Sequence, residues 1–235
     1  MQLSLLEPPP DIPRTSGPLG HRLTREDLGS YIPEAAIDYI LRWFETNPVR
    51  LRVAPGRSSK FGDYRPAKPG TRAIISVNKT LNPYDFLITL VHEMAHDVVF
   101  STFSTVRGHS LFRRKKDQPK PHGQEWKNHY RSLMIPLMIP AVFPHEVIVA
   151  LQDYFLKANA SAKANQNLAI ALKKYDKPDG KEFLQDLPPD TIFYLPGGRA
   201  FRKKELLRKR YRCQSIANHR IYLFSPVATV SRNKT

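Results

Sequence analysis

An α+β protein is what this sequence predicts: a helix, then a small sheet packed on a helix carrying His-Glu-x-x-His and on further helices, then a small basic β appendage. Three observations carry the expectation. Apolar residues recur at helical spacing from Ile32 to Phe44, strict alternation follows over Val49–Val53, and helical spacing returns after Asn82-Pro83.

In chain order, residues 1–28 are proline-rich and polar without a sustained period, which reads as a flexible N-terminal arm. Met1 to Asp11 has no basic n-region and breaks at Pro8-Pro9-Pro10, so no secretory signal is expected there. Ile32, Ala35, Ala36, Tyr39, Ile40, Trp43 and Phe44 then mark one face of a helix, with Pro33 in its first turn and Asn47-Pro48 ending it. Val49-Arg50-Leu51-Arg52-Val53 alternates apolar with arginine, as a half-buried strand does. Phe61 to Arg65 reads as a second strand or turn edge and Arg72 to Asn78 as a third, giving a small antiparallel or mixed sheet.

The next helix starts with Asn82 as N-cap, Pro83 at its first position and Asp85 near its positive end. Its apolar positions are Phe86, Leu87, Leu90, Val91, Met94, Ala95, Val98 and Val99. Ser104 to Pro121 is polar, basic and aperiodic, hence a loop. Helices are expected from about Gly123 to Met134, from about Pro144 to Lys157, and over Leu168–Tyr175 up to the breaker Lys177-Pro178-Asp179-Gly180. Beyond Pro188, strands are expected at Ile192–Leu195, Tyr211–Ile216 and Arg220–Phe224, separated by Pro196-Gly197-Gly198 and Asn218-His219. The organisation so read is an arm over 1–28, a core over 29–157, a helical linker over 158–187 and a basic β-rich appendage over 188–235.

Composition narrows the function classes. Of 235 residues, 41% are hydrophobic and 25% charged, enough apolar material for a core and inconsistent with wholesale disorder. Lysine and arginine number 37 against 21 acids, a net charge of +16 that points to a polyanionic partner, nucleic acid before an anionic membrane. The single cysteine, Cys213, excludes a disulfide framework and any cysteine-based zinc ribbon, and fits a reducing, cytoplasmic setting. The most apolar window, Leu133 to Leu151, carries Pro136, Pro140, Pro144, His145 and Glu146, which argues against a membrane span.

The chemistry concentrates at His92-Glu93-Met94-Ala95-His96. Residues four apart share a helix face, so both imidazoles can reach one ion, and Glu93 beside the first ligand can act as general base toward a water. The flanking residues make the helix largely apolar, where two histidines and a glutamate need a reason. Catalytic zinc takes three protein ligands and keeps one position open. Candidates for the third are His109, His122, His129 and His145, with Glu125 and Glu146 as carboxylate options. Val99 and Thr102 stand where a metzincin would have glycine and histidine. His122, just before Gly123 at a helix start, is favoured by position, and His129 two turns further on could substitute.

These residues, with His122-Gly123-Gln124-Glu125-Trp126-Lys127 and the strand motif Lys60-Phe61-Gly62-Asp63-Tyr64-Arg65, resemble the SprT-like zinc metalloproteases over roughly residues 30–135. The resemblance implies His92, His96 and His122 as ligands of Zn2+ and Glu93 as catalytic base. It also implies an endopeptidase acting on DNA–protein crosslinks or other DNA-associated proteins. Many bacterial relatives carry a cysteine-based zinc ribbon after the core, which a lone cysteine excludes, and the β appendage is expected in that slot.

Two basic runs suggest where nucleic acid would lie. The first holds Arg107, Arg113, Arg114, Lys115, Lys116 and Lys120 between the second and third proposed ligands; the second holds Arg202, Lys203, Lys204, Arg208, Lys209 and Arg210. Both interleave with aromatic residues, which suits phosphate neutralisation combined with base stacking on single-stranded or junction DNA. No helix-turn-helix or finger pattern supports sequence-specific readout. The rival readings are a nucleic-acid-binding module whose metal is structural or silent, and a zinc hydrolase of a non-protein substrate. If the source is bacterial, the protease reading places the protein at the nucleoid.

Overall fold

The computed structural model describes residues 23–56, 60–68, 70–107, 120–156 and 162–234. Among these the chain is an α+β protein with six α-helices and two sheets. No helix among the described residues is long and apolar enough to cross a membrane.

The chain enters through α1 (Arg25–Gly29), a stretch that the sequence assigned to the N-terminal arm. Thr24 and Asp27 form a reciprocal capping box: the Thr24 amide donates to Asp27 Oδ2 at 2.9 Å and the Asp27 amide to Thr24 Oγ1 at 3.3 Å. Leu28 is fully buried, so α1 belongs to the core. A 3-10 turn over Glu34–Ala36 leads into α2 (Ile37–Thr46). Its tighter winding shifts the helical phase, so Ile37 is buried and Ala35 exposed, against the expected stripe.

β1 (Val49–Ala54), β2 (Gly62–Arg65) and β3 (Ala73–Asn78) form a mixed sheet in the order β1-β3-β2. β1 runs parallel to β3 with Val49 opposite Ala73, and β2 runs antiparallel with Gly62 opposite Val77. β3 is thus central, with β1 and β2 as the two edge strands. Asn78 pins the entry to β2, its amide donating to the Phe61 carbonyl and its Nδ2 to the Lys60 carbonyl, both at 2.9 Å.

α3 (Pro83–Arg107) lies against β2 and β3. Asn82 caps it as expected, its Oδ1 accepting from the Tyr84 and Asp85 amides at 3.1 and 2.9 Å. The same side chain donates to the Leu172 carbonyl and to Asp176, tying the start of α3 to the end of α6. Phe86, Leu87, Leu90, Val91, Met94 and Ala95 are buried, while Val98 and Val99 are only half-buried. The helix runs on to Arg107, so residues 104–107 are helical and not loop, and the rest of the expected loop up to residue 119 lies outside the described residues. α4 (Gln124–Met134) packs along α3, and α5 (His145–Leu156) pairs with α6 (Ala162–Lys173).

The boundaries expected after residue 157 move. α6 begins at Ala162 rather than Leu168, and its Ala171 and Leu172 join the main core, so this helix is more than a linker. The second sheet already starts at β4 (Lys181–Phe183) and continues through β5 (Ile192–Tyr194), β6 (Ala200–Leu206), β7 (Tyr211–Ser215), β8 (Ile221–Phe224) and β9 (Thr229–Ser231). Its order is β4-β9-β5-β6-β7-β8, and every pairing is antiparallel. Phe193, Phe201, Cys213, Val230, Leu184 and Leu187 form its own core.

Candidate metal centre

His92 and His96, one turn apart on α3, present Nε2 toward the same point. His122 reaches that point from the turn before α4, where its backbone adopts the left-handed conformation at φ +56°. The Gly123 amide closes this turn on the Lys120 carbonyl at 2.8 Å, and Gly123 then stands at the N-cap of α4. His122 Nε2 lies 3.0 Å from His92 Nε2 and 3.1 Å from His96 Nε2. Among the described residues these three form a cluster that could hold a metal ion.

The donor set fits a zinc-sized ion. Bonds of 2.0–2.1 Å in a tetrahedral array separate ligand nitrogens by about 3.3 Å, close to the spacing found. One proton on Nε2 of His122 cannot satisfy both neighbours at once, whereas a cation takes all three lone pairs. Burial, reinforced by the charges of His96 and His122, drives His92 down to about 3. Burial and His122 bring His96 to about 4, and burial lowers His122. All three imidazoles are therefore neutral near pH 7, the form that ligates.

Aromatic rings wall the back of the cluster. The Trp126 ring lies 4.5, 5.3 and 4.6 Å from the rings of His92, His96 and His122, and Tyr130 stacks on Trp126 at 4.9 Å. Because α4 carries both aromatics on its buried face, the helix that follows His122 also fixes the ligand rotamers. Tyr130 is buried in this stack and serves packing. Tyr64, on β2, hydrogen-bonds the buried Asp97, and burial together with that carboxylate pushes its phenol pKa upward.

Glu93 is buried beside His92 and lies against the sheet edge. A Cβ placed on Gly62 would fall 2.6 Å from Glu93 Oε1 and 2.7 Å from Thr89 Cγ2. Only a glycine lets β2 approach the glutamate this closely. Sequence reasoning missed Gly62 as a site residue, since the requirement arises from tertiary approach and not from a turn.

The other third-ligand candidates lie elsewhere. His129 and His145 take no part in the cluster, Glu125 is exposed, and Glu146 accepts from the Tyr175 hydroxyl at 3.0 Å. His109 falls outside the described residues, as do Arg113, Arg114, Lys115 and Lys116. Arg107 ends α3, and Lys120 is exposed beside the His122 turn.

In the second sheet, Arg208, Lys209 and Arg210 are exposed in the β6–β7 turn, Arg202 is half-buried, and Lys204 pairs with Asp190. Lys203 is a correction: it is 4% exposed, and its Nζ donates to the Gln185 and Leu187 carbonyls while lying 4.4 Å from the Tyr211 ring centre. On β6 it shares the inward face with Phe201, so it holds the sheet's underside together and cannot meet a phosphate. Comparison of the chain with protein-family models, curated proteins and solved structures returned no match.

Proposed function

We propose that this protein is a zinc-dependent endopeptidase, SprT-like in kind, that acts on proteins associated with DNA. The convergence of His92, His96 and His122 beside the buried Glu93 is the observation that carries the proposal. Three nitrogen donors with one exposed member leave a coordination position open, as hydrolytic zinc sites do and closed structural sites do not. That favours a catalytic metal over a structural one.

When bound, zinc would polarise the scissile carbonyl and lower the pKa of the attacking water. Glu93 takes the proton from that water as it adds to the carbonyl, then returns it to the leaving amide nitrogen. Its burial against β2 suits a carboxylate that must keep one orientation through both transfers. His92, His96 and His122 stay neutral and hold position, with Trp126 behind them.

The DNA part of the proposal draws on the net charge of +16 and the exposed cations Lys120, Arg208, Lys209 and Arg210. Contacts of this kind neutralise phosphates without reading bases, so the partner is DNA of any sequence, with single-stranded and junction forms offering bases to stack. A buried lone cysteine suits a cytoplasmic setting. Cleavage of a protein crosslinked to single-stranded DNA, measured with and without a chelator, tests the proposal. Chelator-sensitive cutting is expected; a zinc-loaded protein that cuts neither this substrate nor an unfolded protein overturns it.

A further inference from the structure

A cavity of about 180 Å³ opens directly beside two of the three histidines, His96 and His122. α3 supplies one wall through Val99 and Phe100, three and four residues beyond His96 and therefore on the same side of the helix. β2 and the chain after it supply Tyr64 and Pro66, while Trp126 and Pro121 border the cavity from the α4 side. Phe100 is 36% exposed and its ring stands 6.2 Å from that of Tyr64, so apolar surface stays uncovered where a substrate chain would reach. Among the described lining residues none is acidic, and Lys120 adds a positive charge at the rim.

Resting on the metal reading above, we propose that this cavity is a binding subsite for a bulky unbranched or aromatic apolar side chain next to the scissile bond, and that it rejects cationic side chains. Val99, Phe100, Trp126 and the prolines offer dispersion contacts and remove apolar surface from water on occupancy. A lysine or arginine entering would lose hydration beside Lys120 and a bound metal cation, with no carboxylate among the described lining residues to replace it. The subsite thus selects apolar segments of a protein over the basic segments that abound in DNA-bound proteins.

The test uses two zinc-binding dipeptide hydroxamates of equal length, one bearing norleucine and one lysine beside the hydroxamate. The protein is the zinc-loaded full chain carrying Trp43→Phe, which leaves Trp126 as its only tryptophan and as the fluorescence reporter. The norleucine compound is expected to bind at least tenfold tighter, about the effect of burying 60 Å² of apolar surface. Val99→Phe, which fills the cavity, should erase that preference; Phe100→Ala, at a partly exposed position, should reduce it and provides the test where the larger residue prevents folding. Equal affinities for the two compounds overturn the subsite while leaving the metal reading intact. A protein that takes up no zinc and binds neither compound overturns the subsite and the metal reading together.

Discussion

Gly62 and Glu93 set the tightest constraint on single side chains. Because an added methyl would overlap both Glu93 Oε1 and Thr89 Cγ2, Gly62→Ala must displace either the glutamate or β2. Proteolysis is expected to fall at least tenfold with zinc retained, a pattern that peptidase assay and metal analysis together would read. Gly29→Ala is the matched control: nothing lies within 4 Å of its added Cβ, and it should leave activity unchanged. Full activity in the Gly62 variant would show that Glu93 does not need this close contact with β2.

The long helix α3 shows what the sequence could and could not tell at the level of elements. Asn82-Pro83 and the spacing of Phe86, Leu90, Val91 and Met94 made its start and inner face readable, because capping and periodicity are local. What surrounds its first turn was not readable. Asp85 looked like a simple partner of the positive helix end, but burial, with Asp176 nearby, pushes its carboxyl up to about 6. The folded chain then holds a proton that the unfolded chain has lost, so this group's contribution to stability falls as pH rises from about 4 to about 6. Asp85→Asn should become the more stable form across that window, by about 3 kcal/mol at pH 7, as measured by urea midpoints at successive pH values. A constant difference between the two proteins from pH 4 to pH 7 would contradict the shift. The overlooked elements share another cause. β4 and β9 are short, and β6 hides as a charge run because its inward residue between Phe201 and the bulge is Lys203. Only the carbonyls of Gln185 and Leu187 make a lysine acceptable there, and they arrive by tertiary folding.

Over the whole molecule, two apolar clusters divide the work. The larger gathers α1 through α6 around the histidine helix, and the smaller supports the six-stranded sheet with its exposed basic turn. The charge pattern is what suggests a polyanionic partner, but it could not separate the buried Lys203 from its exposed neighbours. Changing Arg208, Lys209 and Arg210 to glutamate should weaken DNA binding and flatten its salt dependence, the slope of log K against log[salt] falling by about 0.9 for each lost phosphate contact. Zinc content and melting temperature should be unchanged, since all three side chains are exposed. Lys203→Glu should behave oppositely, lowering the melting temperature because it leaves two carbonyls unpaired and buries a negative charge. An unaltered salt slope in the triple variant would make this turn a solvated surface only.

The claim on which everything else depends is that His92, His96 and His122 hold one zinc ion with Glu93 beside it but not bound to it. Metal analysis of the purified wild-type, His122→Ala and Glu93→Gln proteins, paired with a proteolysis assay, tests it most directly. One zinc per chain is predicted in the wild type and in Glu93→Gln, with cleavage abolished in the latter, and loss of the ion is predicted in His122→Ala. A wild-type protein that takes up no zinc, or a Glu93→Gln protein that cleaves at the wild-type rate, would contradict it.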